Sequence, residues 1–235
     1  LLKVSRQPDG QPEIFHSIQG EGVYAGRPAV FLRLALCNLT CVWCDTKYTW
    51  DWEHYDQRRE VMAISLDEAE EAIRRYRCRN LVVTGGEPLV QPRSLAPLLE
   101  RLKGGGFWIE VETNGTIAPG KKLLGVVDHW SVSPKLENSG NPRPSRENPR
   151  ALRLFRGLSS AHFKYVVEKA DDLAELQAVM ERYEIPPDKI VLMPQAQERD
   201  TLLERSGWLV DICKGEGYFF STRLQVLLWG NRRGI

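Results

Sequence analysis

The sequence predicts an α/β protein in which about six parallel strands, alternating with helices, curl into a partial (β/α) TIM-like barrel. Two observations carry that reading. Short runs rich in β-branched and aromatic residues recur with helical patterns between them, and the chemically unusual residues fall directly after those runs. A length of 235 residues with 42% hydrophobic content suffices for one buried core, so a single domain over 1–235 is expected.

In chain order, "AVFLRLAL" (29–36) is the first strand and is followed by a cysteine-bearing loop, 37–46. "SLDEAEEAIRRYR" (65–77) is a helix opened by a capping box of Ser65 and Glu68. "LVVTG" (81–85), the helix "SLAPLLERLK" (94–103), "FWIEVET" (107–113) and "VDHWSVS" (127–133) come next. The segment 136–150, containing "ENSGNPRPSRENPR", has no period and is dense in Pro, Asn and Arg, so an exposed variable loop and a candidate mobile lid are expected. "HFKYVVE" (162–168) and "KIVLMPQ" (189–195) flank the helix "DDLAELQAVMERY" (171–183). After the helix "RDTLLERSGWLVDICK" (199–214), a C-terminal tail, 222–235, carries the apolar run "RLQVLLWG", expected as an edge strand or tail.

Composition excludes several classes of function. Thirty-two basic residues against 31 acidic ones leave no excess field to attract nucleic acid or an anionic membrane. No apolar run reaches the roughly 20 residues needed to span a bilayer, and "LLKVSRQPDG" lacks a signal-peptide core. A cytoplasmic protein with no nucleic-acid and no membrane partner is therefore expected.

The residues with chemistry share one rim. The cysteine loop follows the first strand, and "TGGEP" (84–88), "ETNGT" (112–116), "SVSPK" (131–135) and "MPQ" (193–195) close later ones. Loops at the carboxyl ends of parallel strands converge on one cavity, where such folds hold their sites.

Of the five cysteines, Cys37, Cys41 and Cys44 sit within eight residues. That crowding makes a poor disulfide framework and a good metal framework. Two readings remain open. A zinc site wants a fourth ligand, for which His16 or His54 are candidates. An iron–sulfur cube held by three thiolates instead leaves one iron open for another ligand. Cys78 and Cys213 stand alone as ordinary thiols.

The Cys-x-x-x-Cys-x-x-Cys spacing of "LALCNLTCVWCDT" (34–46), with Trp43 before the last cysteine, resembles the cluster loop of radical S-adenosylmethionine enzymes. The longer block "EIFHSIQGEGVYAGRPAVFLRLALCNLTCVWCDTKYTW" (13–50), together with "TGGEP", "ETNGT", "SVSPK", "FKYVV", "MPQ" and the closing "WGNRRGI", is similar to the 7-carboxy-7-deazaguanine synthase family over nearly the whole chain.

That resemblance implies a carbon–nitrogen lyase with a radical SAM core, acting in the deazapurine pathway that leads to queuosine in transfer RNA. Its substrate would be 6-carboxy-5,6,7,8-tetrahydropterin, contracted to a five-membered ring with loss of ammonia. The implied cofactors are a [4Fe-4S] cluster on Cys37, Cys41 and Cys44, S-adenosylmethionine on the open iron, and Mg2+ beside Thr46. Trp43, Asp45, Gly86, Glu87, Ser133, Pro134, Lys135, Met193, Pro194 and Gln195 would face S-adenosylmethionine. Ile18, Gln19, Gly20, Arg33, Thr84 and Ile235 would face the pterin. An electron donor such as flavodoxin or ferredoxin and a homodimer are implied as partners.

Several of these residues have plainer alternatives. Arg33 interrupts an apolar strand, where an unpaired guanidinium is costly to bury, so it faces either a polar lumen or solvent. Thr84 suits any strand, Lys135 any exposed head on a buried stem, and Glu112 and Asn114 either line the cavity or serve a turn around "NG". Gln225 stands where many family members carry His, which leaves an acid–base role there without its usual residue. The rivals are another radical enzyme, such as a glycyl-radical activase, and a non-catalytic zinc module.

Overall fold

The computed structural model describes residues 1–230 and 232–235. Three strands precede the cysteine loop: β1 (Leu2–Ser5), β2 (Ile14–Ile18) and β3 (Pro28–Leu34). Then come α1 (Gln57–Glu60), β4 (Val61–Ile64), α2 (Leu66–Arg74), β5 (Asn80–Gly85), α3 (Pro92–Gly104), β6 (Trp108–Thr113), α4 (Lys121–Val126) and β7 (His129–Val132). The remainder is α5 (Arg143–Arg146), α6 (Pro149–Gly157), β8 (Ala161–Val167), α7 (Asp171–Tyr183), β9 (Ile190–Pro194), α8 (Arg199–Glu216), β10 (Phe219–Phe220) and α9 (Leu224–Trp229).

All six expected strands form, as β3 and β5 to β9, and pair in parallel in that order; the two-residue β10 extends the parallel set. β1, β2 and β4 add antiparallel pairing on the β3 side, so the sheet curls without closing. The Ser65–Glu68 capping box is present in both directions, satisfying two amide donors at the start of α2.

Two expectations are corrected. The run "RLQVLLWG" is not an edge strand: residues 224–229 form α9, and the sheet edge falls earlier, at β10. Val226 and Leu227 pack with Ala196 and Leu202 there, and a helix lets both face that cluster. Segment 136–150 is not a loose lid. It contains α5, leads into α6, and buries Ser139, Asn141 and Arg146. Arg146 donates to the carbonyls of Asn141 and Lys135 and pairs with Glu175 at 2.6 Å, so the arginines that suggested an exposed loop pin this one down.

Strand periodicity positions the site. Leu32, Leu34, Leu81, Val83, Ile109, Val111, Trp130, Val132, Phe163 and Tyr165 belong to the main core. Their neighbours point the other way, into the lumen. Deep in the lumen Phe15, Phe31 and Val82 make a small apolar cluster. Nearer the mouth the lumen becomes polar, with Arg33, Thr84, Glu112, Ser133 and Lys164. At the amino ends of the strands, rings shut the base: Tyr24 lies edge-on to Trp108 at 4.7 Å and to His129 at 4.8 Å.

Candidate active site

Cys37, Cys41 and Cys44 line one cavity at the mouth of the barrel, and all are free thiols. The loop turns sharply out of β3 through Leu36, whose φ of 74° is in the left-handed region. Each sulfur accepts one N–H: Cys37 from the Leu39 amide at 3.4 Å, Cys41 from Asn141 Nδ2 at 3.3 Å, and Cys44 from Trp50 Nε1 at 3.4 Å. Burial, with the neighbouring Glu87 and cysteines against it, pushes the Cys37 thiol up to about 12, and burial also raises Cys41. Such thiols become thiolates only when a metal takes the charge.

The double glycine after β5 clamps this loop. A Cβ on Gly85 would lie 2.0 Å from the Leu34 carbonyl oxygen, and one on Gly86 would lie 2.0 Å from that of Leu36. The close approach lets Gly86 N donate to Leu34 and Glu87 N to Leu36, at 2.9 and 2.8 Å. Both glycines line the cavity, yet the groups that forbid their side chains are protein backbone.

Glu87 is fully buried and outside the cavity wall. Its carboxylate accepts from Leu89 N, Thr113 Oγ1 and Asn114 N at 2.9, 2.8 and 2.6 Å, tying β5 to the end of β6. Pro134 is also buried away from the cavity, on the side of Gly115. The structure therefore does not bring these two side chains to the face where S-adenosylmethionine was expected. Asn114 lines the cavity and also stitches the rim, donating to Asn38 at 2.9 Å while accepting from Thr116 Oγ1 at 2.6 Å.

The other expected S-adenosylmethionine contacts lie on the cavity wall: Trp43, Asp45, Gly86, Ser133, Lys135, Met193, Pro194 and Gln195. Lys135 Nζ donates to both oxygens of Ser133 at 2.8 Å and lies 5.7 Å from the Trp43 ring centroid. Trp43 donates to Asn138, and Arg205 holds both the carbonyl and the amide oxygen of Gln195. Thr46 also lines the cavity, with its hydroxyl 3.5 Å from Cys44 Sγ.

Deeper, Ile18, Gln19, Gly20, Arg33, Thr84 and Ile235 share the wall. Thr84 Oγ1 and Gln19 Nε2 donate to the two oxygens of Glu112, at 2.7 and 3.1 Å. Arg33 points into the lumen, and its guanidinium is paired with Glu13 at 2.8 Å. Glu13 is fully buried and also takes bonds from Tyr48 and Arg233. Asn231 of the closing "WGNRRGI" lies outside the described residues.

Glu21, Lys164 and Arg223, which the sequence does not single out, build a second charged array. Glu21 accepts from Lys164 at 2.5 Å, Arg223 at 3.0 Å and Gln225 at 2.7 Å, and Arg223 also reaches Asp45. Burial favours protonating Glu21, but Lys164 and Arg223 outweigh it and hold its carboxyl well below the usual range. Burial likewise opposes the Lys164 cation, and Glu21 and Glu112 hold it above its ordinary value. The signal that marked Arg33, a cation in an apolar strand, also marks Lys164 in "HFKYVVE". Gln225 Oε1 is buried with no partner among the described residues, so an acceptor is left at the wall.

The residues suit an iron–sulfur cube better than a single ion. Among the described residues, no three His, Cys, Asp or Glu side chains are placed to hold one metal ion, although three thiols border one cavity. His16 and His54 do not line the cavity that holds the three cysteines, so neither is placed as a fourth zinc ligand. Thiols spaced around a void suit a group larger than an ion, and their three N–H donors suit sulfurs that carry negative charge.

The comparisons agree with this geometry. Residues 34–133 match the radical SAM superfamily. The 7-carboxy-7-deazaguanine synthase of Pyrobaculum aerophilum is 38% identical over 225 residues, covering 94% of this chain and 95% of that protein. The corresponding synthase of Hyperthermus butylicus is 34% identical, covering 92% and 91%. The crystal structure of QueE from Escherichia coli superposes with a TM-score of 0.67 at 28% identity, covering 94% of this chain and 93% of that one. The chain belongs to the 7-carboxy-7-deazaguanine synthase family of radical SAM enzymes.

Proposed function

We propose that the protein contracts 6-carboxy-5,6,7,8-tetrahydropterin to 7-carboxy-7-deazaguanine with release of ammonia, as a radical SAM lyase of deazapurine biosynthesis. The observation that carries this reading is the placement of three free thiols and the Thr84–Glu112–Gln19 array on the walls of one cavity. Cys37, Cys41 and Cys44 would hold the [4Fe-4S] cluster, which with S-adenosylmethionine would supply one-electron, hydrogen-abstracting chemistry towards C6 of the pterin.

The chain's own residues orient and shield. Glu112 is an acceptor with lone pairs to spare after Thr84 and Gln19 are served, matched to the amine and ring N–H groups of a pterin. Gln225 Oε1 offers a further acceptor. Glu21 and Lys164 act as fixed charges rather than proton carriers, because each stabilises the other's ionised form. Ile18, Gly20, Arg33 and Ile235 complete the pterin side, and Trp43, Asp45, Gly86, Ser133, Lys135, Met193, Pro194 and Gln195 complete the S-adenosylmethionine side. Lys135 Nζ, whose hydrogen bonds among the described residues go to Ser133, suits an incoming carboxylate.

A magnesium ion beside Thr46 would hold the pterin carboxylate; such an ion keeps several waters and asks little of the protein. The reading extends to a cytoplasmic homodimer reduced by flavodoxin or ferredoxin. None of the described helices is long and apolar enough to cross a membrane.

The test is anaerobic reconstitution with iron and sulfide, then mass spectrometry of the carboxypterin reaction with and without magnesium. Brown protein that forms 7-carboxy-7-deazaguanine and 5′-deoxyadenosine is expected, faster with magnesium. A colourless zinc protein, or a brown one inert towards the pterin, would overturn the reading.

A further inference from the structure

The segment expected as an exposed loop and candidate lid supplies one of the three N–H donors around the thiols. Asn141, at 5% exposed, sends its amide into the cysteine loop. Its orientation is set by chemistry: Oδ1 accepts from Thr40 N at 3.0 Å, which an NH2 group cannot do, so Nδ2 is the end that faces Cys41 Sγ at 3.3 Å. The same segment takes the Val42 amide on the Ser139 carbonyl and the Trp43 indole on Asn138. From the other side Trp50, whose indole N–H can only donate, points at Cys44 Sγ at 3.4 Å.

We infer that Asn141 and Trp50 are positioning residues that set the reduction potential of the cluster, by directing one N–H dipole each at a ligand sulfur. The inference rests on the cluster being held by Cys37, Cys41 and Cys44. Reduction adds negative charge that spreads onto the sulfurs, and an N–H aimed at a sulfur stabilises the reduced form more than the oxidised one. Each bond therefore raises the potential and eases electron entry from a carrier. The Leu39 amide makes the equivalent bond to Cys37, but its donor is backbone, and only proline in that place would remove it. Asn141 stands 100 residues from the cysteine it serves, and Trp50 six residues from its own.

The experiment is a redox titration of the reconstituted full chain, followed by electron paramagnetic resonance, for wild type, Trp50→Phe, Asn141→Leu and Trp52→Phe. Trp50→Phe keeps the ring and removes the N–H. At a fixed potential its ratio of reduced to oxidised cluster should fall about tenfold, a shift of about 59 mV to lower potential for one electron. Asn141→Leu should shift the same way. Trp52→Phe, two residues away, has no sulfur contact to lose and should leave the midpoint unchanged.

A second readout is the exchangeable-proton hyperfine coupling of the reduced cluster in water against deuterium oxide, which should lose one component in Trp50→Phe. Should Asn141→Leu fail to take up a cluster, Trp50→Phe decides. Loaded Trp50→Phe with a wild-type midpoint and full exchangeable coupling overturns the inference while leaving the proposed function standing. So does a Trp52→Phe shift as large as that of Trp50→Phe. Wild-type protein that binds no cluster overturns both.

Discussion

The two ends of the barrel are built from the same strands and do opposite things. At the carboxyl ends, Arg33, Thr84, Glu112 and Lys164 are each paired with a protein group and still border a cavity. At the amino ends, Tyr24, Trp108, His129, His162 and Phe219 meet ring to ring over 4.7 to 6.3 Å and close the lumen. The difference shows how one sheet separates chemistry from stability. Polar groups at the mouth keep spare lone pairs and donors for a ligand, whereas rings at the base contribute burial and leave no room for one.

Changes at the mouth should cost activity more than stability, and changes at the base the reverse. The largest effect is expected for Cys41→Ala: no cluster by iron content and absorbance, no 5′-deoxyadenosine, and a thermal midpoint close to that of the parent apoprotein. Full turnover would remove Cys41 from the site.

Gly86→Ala comes next, because the added methyl would sit 2.0 Å from the Leu36 oxygen and must displace the cysteine loop. A displacement of that order costs about a hundredfold in turnover, which steady-state assay would show. A mild effect would mean that the loop yields more easily than its backbone contacts suggest.

Glu112→Gln should be smaller. It turns one carboxylate oxygen into an amide that opposes the donors Thr84 or Gln19. A lost charged hydrogen bond of about 1.5–3 kcal/mol corresponds to roughly a tenfold to hundredfold fall in kcat/KM. Unchanged pterin kinetics would place Glu112 outside substrate recognition.

The smallest effect belongs to the base. Burial, helped by His129 and Lys189 and opposed by Asp188, holds His162 below its ordinary value near 6.5. The unfolded chain therefore takes up this proton more readily than the folded one. The contribution of the neutral ring is present in full above that value, starts to be lost as pH falls through it, and is gone below the folded value. Thermal midpoints measured from about pH 8 to about pH 5 should fall on the acid side, less steeply in His162→Gln. An identical slope in the two proteins would assign the acid sensitivity elsewhere.

How much of this was legible beforehand follows from the range of each interaction. The β runs at 29–36, 81–85, 107–113, 127–133, 162–168 and 189–195 all became strands, because side-chain alternation and β-branched content act locally. The cysteine spacing was equally plain, since all three lie in one loop. Segment 136–150 misled because Pro, Asn and Arg are loop-formers until they find partners; Asn141 and Arg146 found theirs in Cys41 and Glu175. The run at 223–230 misled because short apolar stretches suit a helix or a strand alike, and packing against Ala196 and Leu202 chose the helix.

By itself, then, the sequence determined the order of the six parallel strands and of the helices α2, α3, α7 and α8, the rim on which the reactive residues gather, and the trio of thiols. All of these depend on neighbours a few residues away. Only the tertiary structure decided which charges neutralise one another and which groups face the sulfurs. Glu13 answers Arg33 across 20 residues, Glu21 answers Arg223 across 202, and Asn141 reaches Cys41 across 100. A hydrogen bond or ion pair depends on a few ångströms of separation in space, and sequence distance says nothing about that until the sheet has curled.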